Sequence, residues 1–193
     1  MRLTELVHKL LDQQVHLGDS VIDATSGNGH DSCKLASLTG ASGHLHAIDI
    51  QAPAIAATKK LLEGSGFGNC YTLYCDDHAA VLRAMQAKHQ HRISAIVFNL
   101  GYLPGSDHTI QTSSTTTIKA LDACLPLLRE DGLLLVTAYR GHPGGTEEAA
   151  QVDKWMQQRA SSKGWKMERE APQAKGPHMS PILWQVRSPV VSI

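Results

Sequence analysis

The chain has 193 residues, with 18 Lys and Arg against 18 Asp and Glu, a formal net charge of zero and 42% hydrophobic residues. That length and apolar content suit one folded core and exclude a disordered polyelectrolyte. The missing positive charge excludes a long phosphate-tracking surface, though not a grip on one short nucleic-acid loop.

Leu3, Leu6, Val7, Leu10 and Leu11 recur at helical spacing and predict an amphipathic helix over about 2–14. Ser20 to Asp23 reads as a buried strand stopped by Gly27 and Gly29, with a helix from about Asp31 to Leu38. His44 to Ile50 reads as a second strand, and Pro53 suits the first turn of the helix that follows. Cys70 to Cys75 is a third strand, after which Asp76 or Asp77 can cap a helix through Leu82 and Met85. Ile93 to Phe98 is a fourth strand, Ser114 to Leu128 a helix, and Leu133 to Tyr139 a fifth strand opened by Gly132. Glu147 to Arg159 is helical with Val152, Trp155 and Met156 on one side, and Trp165–Glu168 and Ile182–Val186 supply two closing strands. Alternating strand and helix predicts an α/β, Rossmann-like domain spanning 1–193 with its core over about 18–187. It has a seven-stranded, mostly parallel sheet with helices on both faces. No apolar run reaches the roughly 20 residues that span a bilayer. Glu5 and Lys9 stand where an export signal needs its apolar core, and Cys33, Cys70, Cys75 and Cys124 make no CxxC pair. The expectation is a cytoplasmic protein with reduced thiols and no membrane partner.

Ligands of such sheets bind beyond the carboxyl ends of the strands. The first strand ends in Asp23-Ala24-Thr25-Ser26-Gly27-Asn28-Gly29-His30-Asp31, where the glycines let backbone approach a ligand closely. A dinucleotide loop wants a third glycine where this chain has Ser32. Asp23 would repel pyrophosphate but suits a cationic amino-acid end, as in S-adenosylmethionine. Asp49, with Gln51 just beyond, ends the second strand at the distance from which a carboxylate holds ribose hydroxyls. Asp76 and His78 end the third strand, where an adenine edge would lie. The fourth strand ends in Asn99-Leu100-Gly101-Tyr102-Leu103-Pro104. The Asn99 side-chain carbonyl and the Leu100 main-chain carbonyl can accept the N–H groups of an attacking amine, and Tyr102 can stack on a base. Asp107, His108 and His142 are candidate bases, and Pro104, His108, Arg140 and His142 are expected on the acceptor side. The pairs His44/His46 and His89/His91 lack completing ligands, so no metal is expected.

These segments, with Thr116-Thr117-Ile118 and Tyr139-Arg140-Gly141-His142, resemble class I methyltransferases once labelled rRNA methylases. Within these they are similar to the MnmM (YtqB-like) tRNA methyltransferases. The likeness runs to about residue 187. It implies S-adenosylmethionine as cofactor, with Asp23, Thr25, Gly27, Asn28, Gly29, Asp31, Asp49, Gln51, Asp76, His78 and Asn99 around it. It further implies methylation of the amine of 5-aminomethyl-2-thiouridine in the tRNA anticodon loop, and it allows a homodimer. An rRNA or a small amine or hydroxyl compound is the alternative acceptor. Residues 173–181 and Arg140 depart from the family pattern, which bears on the acceptor more than on the cofactor.

Overall fold

The computed structural model describes residues 2–101, 112–171 and 180–190, side chains of 160–163 excepted. Helix α1 (Leu3–Gln14) precedes β1 (Ser20–Asp23), α2 (His30–Thr39), β2 (His44–Asp49), α3 (Ala52–Gly64), β3 (Tyr71–Cys75) and α4 (His78–His89). Then come β4 (Ile93–Leu100), α5 (Ser114–Cys124), β5 (Leu128–Ala138), α6 (Gly145–Lys163), β6 (Lys166–Glu170) and β7 (Ile182–Arg187). The seven strands form one sheet in the order β3-β2-β1-β4-β5-β7-β6. Pairing is parallel through β5 and antiparallel where β7 inserts between β5 and β6.

Strand alternation sends successive side chains to opposite faces, and both faces of the central strands are covered, so Ala95–Phe98 of β4 and Leu133–Val136 of β5 are continuously apolar, whereas the edge strand β6 is largely exposed. Val21, Leu45, Ala95, Val97, Leu133 and Leu135 pack under α1, α2 and α3. Ile22, Ile48, Ile96, Phe98, Leu134 and Val136 pack under α4, α5 and α6, where Val152, Trp155 and Met156 form the expected buried stripe. Chain order reverses between β1 and β4, so their carboxyl ends diverge and leave a crevice.

Several boundaries differ from expectation, three of them around β4 and β5. β4 continues through Asn99 and Leu100, because pairing with β5 persists as Asn99↔Thr137 and Leu100↔Ala138. α5 stops at Cys124, and Leu125–Leu127 tightens into a 3-10 turn with Pro126 in its first positions. β5 begins at Leu128 rather than Leu133, with a register shift that the hydrophobic pattern does not record. No helix among the described residues is long and apolar enough to cross a membrane.

Phe98 is fully buried between sheet and helices, so Phe98→Ala should lower unfolding free energy by about 3–5 kcal/mol. Leu17→Ala, at a side chain 77% exposed, should stay within about 0.5 kcal/mol. Urea denaturation of both variants checks the contrast.

Candidate cofactor and catalytic site

The turn after β1 is held from three sides. Ala24 N–H donates to Val97 O of β4 at 2.9 Å, and Ser26 N–H to Ile48 O of β2 at 2.9 Å. Gly29, at φ 84°, is the N-cap of α2, and a Cβ there would meet Thr58 Cα of α3 at 2.8 Å. Thr58 Oγ1 also donates to Gly27 O at 3.1 Å. Glycine at 29 therefore meets two demands, a left-handed backbone and a close approach between helices.

Three carboxylates surround this turn. Asp49 Oδ2 accepts from Gly27 N–H at 2.9 Å and its Oδ1 from Gln51 N–H at 2.9 Å. Each oxygen keeps a second lone pair, so the residue expected to hold ribose also shapes the loop. Asp23 has no exposed surface. Its Oδ2 accepts from Ser32 Oγ at 2.6 Å and its Oδ1 from Thr25 N–H at 3.3 Å. Burial, then the charges of Asp31 and Asp49, outweigh those bonds and push its carboxyl up to about 7. Ser32, which replaces the third glycine of a dinucleotide loop, thus anchors the buried acid. Asp31 sits in the first turn of α2. Its Oδ2 accepts from Asn99 Nδ2 at 2.8 Å, and its Oδ1 lies 2.7 Å from His8 Nε2 on α1.

Asn99 is fixed twice. Its main-chain N–H donates to Thr25 Oγ1 at 2.6 Å. The bond to Asp31 uses the amide nitrogen as donor, and the amide oxygen is left as an acceptor. The Leu100 carbonyl accepts the Tyr139 N–H of the sheet ladder at 3.0 Å. That bond occupies one of the lone pairs expected to receive an amine, a consequence of β4 running two residues further than its apolar pattern suggests. Asn28 stands exposed at the tip of the turn.

Asp76 is exposed beside Asp49, its N–H bonded to Asp49 O at 3.1 Å. The helix cap expected of either residue is Asp77, which accepts from Ala80 N–H at 3.0 Å. His78 is buried with its ring edge-on to Phe98, centroids 5.8 Å apart, and burial lowers its pKa. His142 is buried, with Nε2 close to where Gly101 and Gly145 would carry side chains. Arg140, expected to face the acceptor, directs Nε and Nη2 at Ser180 O, 2.9 and 2.6 Å away, and so ties the entry of β7 to the end of β5. Tyr102, Pro104, Asp107 and His108 lie outside the described residues. Among the described residues no three His, Cys, Asp or Glu side chains are arranged to hold a metal ion.

Sequence reasoning missed two groups. His8 was hidden in an amphipathic helix. Glu148 is an acid near the start of α6, a position usually solvated, yet it is 2% exposed and accepts from Thr112 Oγ1 at 2.7 Å and Thr117 Oγ1 at 2.6 Å. Thr112 in turn exchanges bonds with Gly101, N–H to O and N–H to Oγ1, both 2.9 Å. Glu148 therefore pins together the two ends of segment 102–111.

A sheet of this order, with a carboxylate-lined turn at the reversal point, defines a class I, S-adenosylmethionine-dependent methyltransferase. The chain belongs to the family described as "Putative rRNA methylase", whose model matches residues 45–183. It is 38% identical over 160 residues to a chloroplastic tRNA (mnm5s2U34)-methyltransferase of Arabidopsis thaliana, covering 79% of this chain and 58% of the relative's length. A crystal structure from Clostridium thermocellum, described as a "putative rRNA-methylase", superposes with a TM-score of 0.88 at 34% identity over 97% of each chain. A "putative methyltransferase" of Streptococcus mutans, solved with S-adenosylhomocysteine, gives a TM-score of 0.83 at 26% identity, covering 97% of this chain and 98% of that one.

The donor set fits that cofactor. Three carboxylates around one turn oppose a pyrophosphate and favour a ligand with an ammonium, a sulfonium and a ribose diol. The buried Ser26 Oγ, which finds no partner among the described residues, leaves a further polar contact for it. Asp23 ionises at about 3.8 in the unfolded chain and about 7 in the folded one, so the native state holds the extra proton between those values. This residue's share of stability falls as pH rises from about 4 to about 7. In Asp23→Asn that share is gone, so the variant's urea midpoint should gain on the wild type across the window. A difference independent of pH would contradict the assignment.

Proposed function

We propose that the chain methylates the exocyclic amine of 5-aminomethyl-2-thiouridine at the tRNA wobble position, giving the 5-methylaminomethyl product. The observation that carries this is Asn99, whose amide is oriented by Asp31 so that Oδ1 faces as an acceptor at the carboxyl end of β4. The Arabidopsis relative, named for the mnm5s2U34 step, points to the same acceptor. Because the chain spans 58% of that relative's length, the acceptor is carried over as a proposal.

Asp49 would hold the cofactor's ribose hydroxyls, with Gln51, Asp76 and His78 toward the base. Asp23 would supply negative potential beneath the ammonium, and Gly27, Asn28 and Gly29 the closely approaching backbone. The bound cofactor supplies an electrophilic methyl on a sulfonium, and positioning of the nucleophile is then the protein's main contribution. Asn99 Oδ1 accepts one N–H of the incoming amine and turns its lone pair toward the methyl. Leu100 O can add a second contact only through its remaining lone pair. An alkylamine has a pKa near 10.4, so it must reach the site neutral or lose a proton there. Burial favours the neutral form, and His142, packed beside Gly101, is the candidate base among the described residues. Tyr102, Pro104, Asp107 and His108 belong to the acceptor side on the family resemblance alone. An anticodon loop can be gripped by stacking with few phosphate contacts, in keeping with zero net charge.

The test is methyl transfer from labelled S-adenosylmethionine to tRNA bearing the 5-aminomethyl nucleoside, with the product read by mass spectrometry. The wild type should form the 5-methylaminomethyl nucleoside, and Asn99→Ala should lose about 100-fold in turnover. Undiminished turnover in Asn99→Ala would refute the role of the amide. Absence of the product in the wild type would move the acceptor to rRNA or to a small amine or hydroxyl compound. Affinity for tRNA should fall as salt rises, and a salt-independent affinity would speak against a nucleic-acid acceptor.

A further inference from the structure

We propose that His8, on the N-terminal helix, is a positioning residue for methyl transfer. By donating from Nε2 to Asp31, it fixes the carboxylate that orients the Asn99 amide. The inference rests on the role of Asn99 proposed above.

The geometry is a three-member chain across three elements. His8 Nε2 of α1 lies 2.7 Å from Asp31 Oδ1 of α2, and Asp31 Oδ2 lies 2.8 Å from Asn99 Nδ2 of β4. A carboxylate held by Asn99 alone could pivot about its own side-chain bonds. Bonded through both oxygens it is held in one plane, and the Asn99 amide plane follows. Asp31 is the less exposed partner, its side chain 13% accessible against 32% for His8. His8 thus covers the solvent side of the carboxylate while Asn99 takes the inner side.

Neighbouring groups leave this task to His8. Asp23 and Tyr139 lie within electrostatic reach of Asp31, but among the described residues the side chains hydrogen-bonded to its carboxylate are His8 and Asn99. Lys34, one turn along α2, is paired with Asp12 of α1 at 2.5 Å. The two helices are therefore joined by two polar pairs, and only the His8 pair leads to the site.

The test compares His8→Phe, which keeps ring volume without the donor, with His8→Gln, whose amide nitrogen can reach the same oxygen. Asp12→Ala, which removes the neighbouring pair, serves as the control for helix docking. The readouts are kcat at saturating acceptor, S-adenosylhomocysteine affinity by calorimetry, and the NMR signal of the Asn99 side-chain amide, assigned by its loss in Asn99→Asp. His8→Phe should lower kcat about tenfold, leave S-adenosylhomocysteine affinity within about threefold and shift the Asn99 amide signal. His8→Gln should restore both kcat and signal, and Asp12→Ala should change neither. An unmoved amide signal in His8→Phe, or equal losses in His8→Phe and Asp12→Ala, would reduce His8 to a helix-docking contact and overturn the proposal. A loss of S-adenosylhomocysteine affinity with kcat intact would overturn it too. If the wild type methylates no aminomethyl nucleoside, the acceptor assignment fails, and the amide signal still decides for or against His8.

Discussion

Three carboxylates meet around one glycine turn, and the polar contacts at this end of the sheet exist to hold them there. Burial disfavours the ionised form of Asp23, and the neighbouring charges of Asp31 and Asp49 add to that cost. The structure offsets this with two partners for each acid: Ser32 and Thr25 for Asp23, Gly27 and Gln51 for Asp49, His8 and Asn99 for Asp31. Those partners come from α1, α2, β4 and the turns after β1 and β2, so the acids also decide how these elements converge. A bound cation at the turn would relieve what the hydrogen bonds only moderate. The site is in this sense built toward a positively charged ligand before any ligand arrives.

Most of the architecture was legible because buried parallel strands are short apolar runs between glycine and acidic turns, and each was bracketed by a helix of the right period. The carboxyl-end rule then turned strand ends into site residues, which is why Asp23, Asp49 and Asn99 could be singled out. The misplaced limits of β4 and β5 share one cause. Strand length is set by pairing, and pairing is not local. Asn99 and Leu100 stay in β4 because Thr137 and Ala138 lie opposite them. That kept a sheet bond on the Leu100 carbonyl that an earlier strand end would have released. His8 and Glu148 were illegible for a related reason. Each has a polar position in an amphipathic helix, and only partners 23 and 31–36 residues away reveal that neither is merely solvated.

Glu148 anchors the chain at Thr112 as Asp31 anchors the Asn99 amide. Gly101 and Thr112, the two ends of segment 102–111, are bonded to each other, and the Thr112 hydroxyl is bonded to a buried carboxylate on α6. Asn99 therefore stands next to a fixed base, whatever the residues beyond Gly101 do.

On the amine methylation proposed above, position 99 has a chemical reason to be an amide. A carboxylate there would be a fourth acid in the cluster. It would favour the protonated form of an incoming amine, because an adjacent negative charge raises an ammonium's pKa. An ammonium has no lone pair to give. The amide oxygen accepts the same N–H without favouring a charged amine, and the neighbouring Asp31 takes one of the amide's two N–H donors and so sets which way the oxygen faces. Negative charge is thus kept one residue back from the nucleophile, close enough to orient the group that touches it. The same acids that favour a sulfonium cofactor would, if placed at 99, disarm its acceptor.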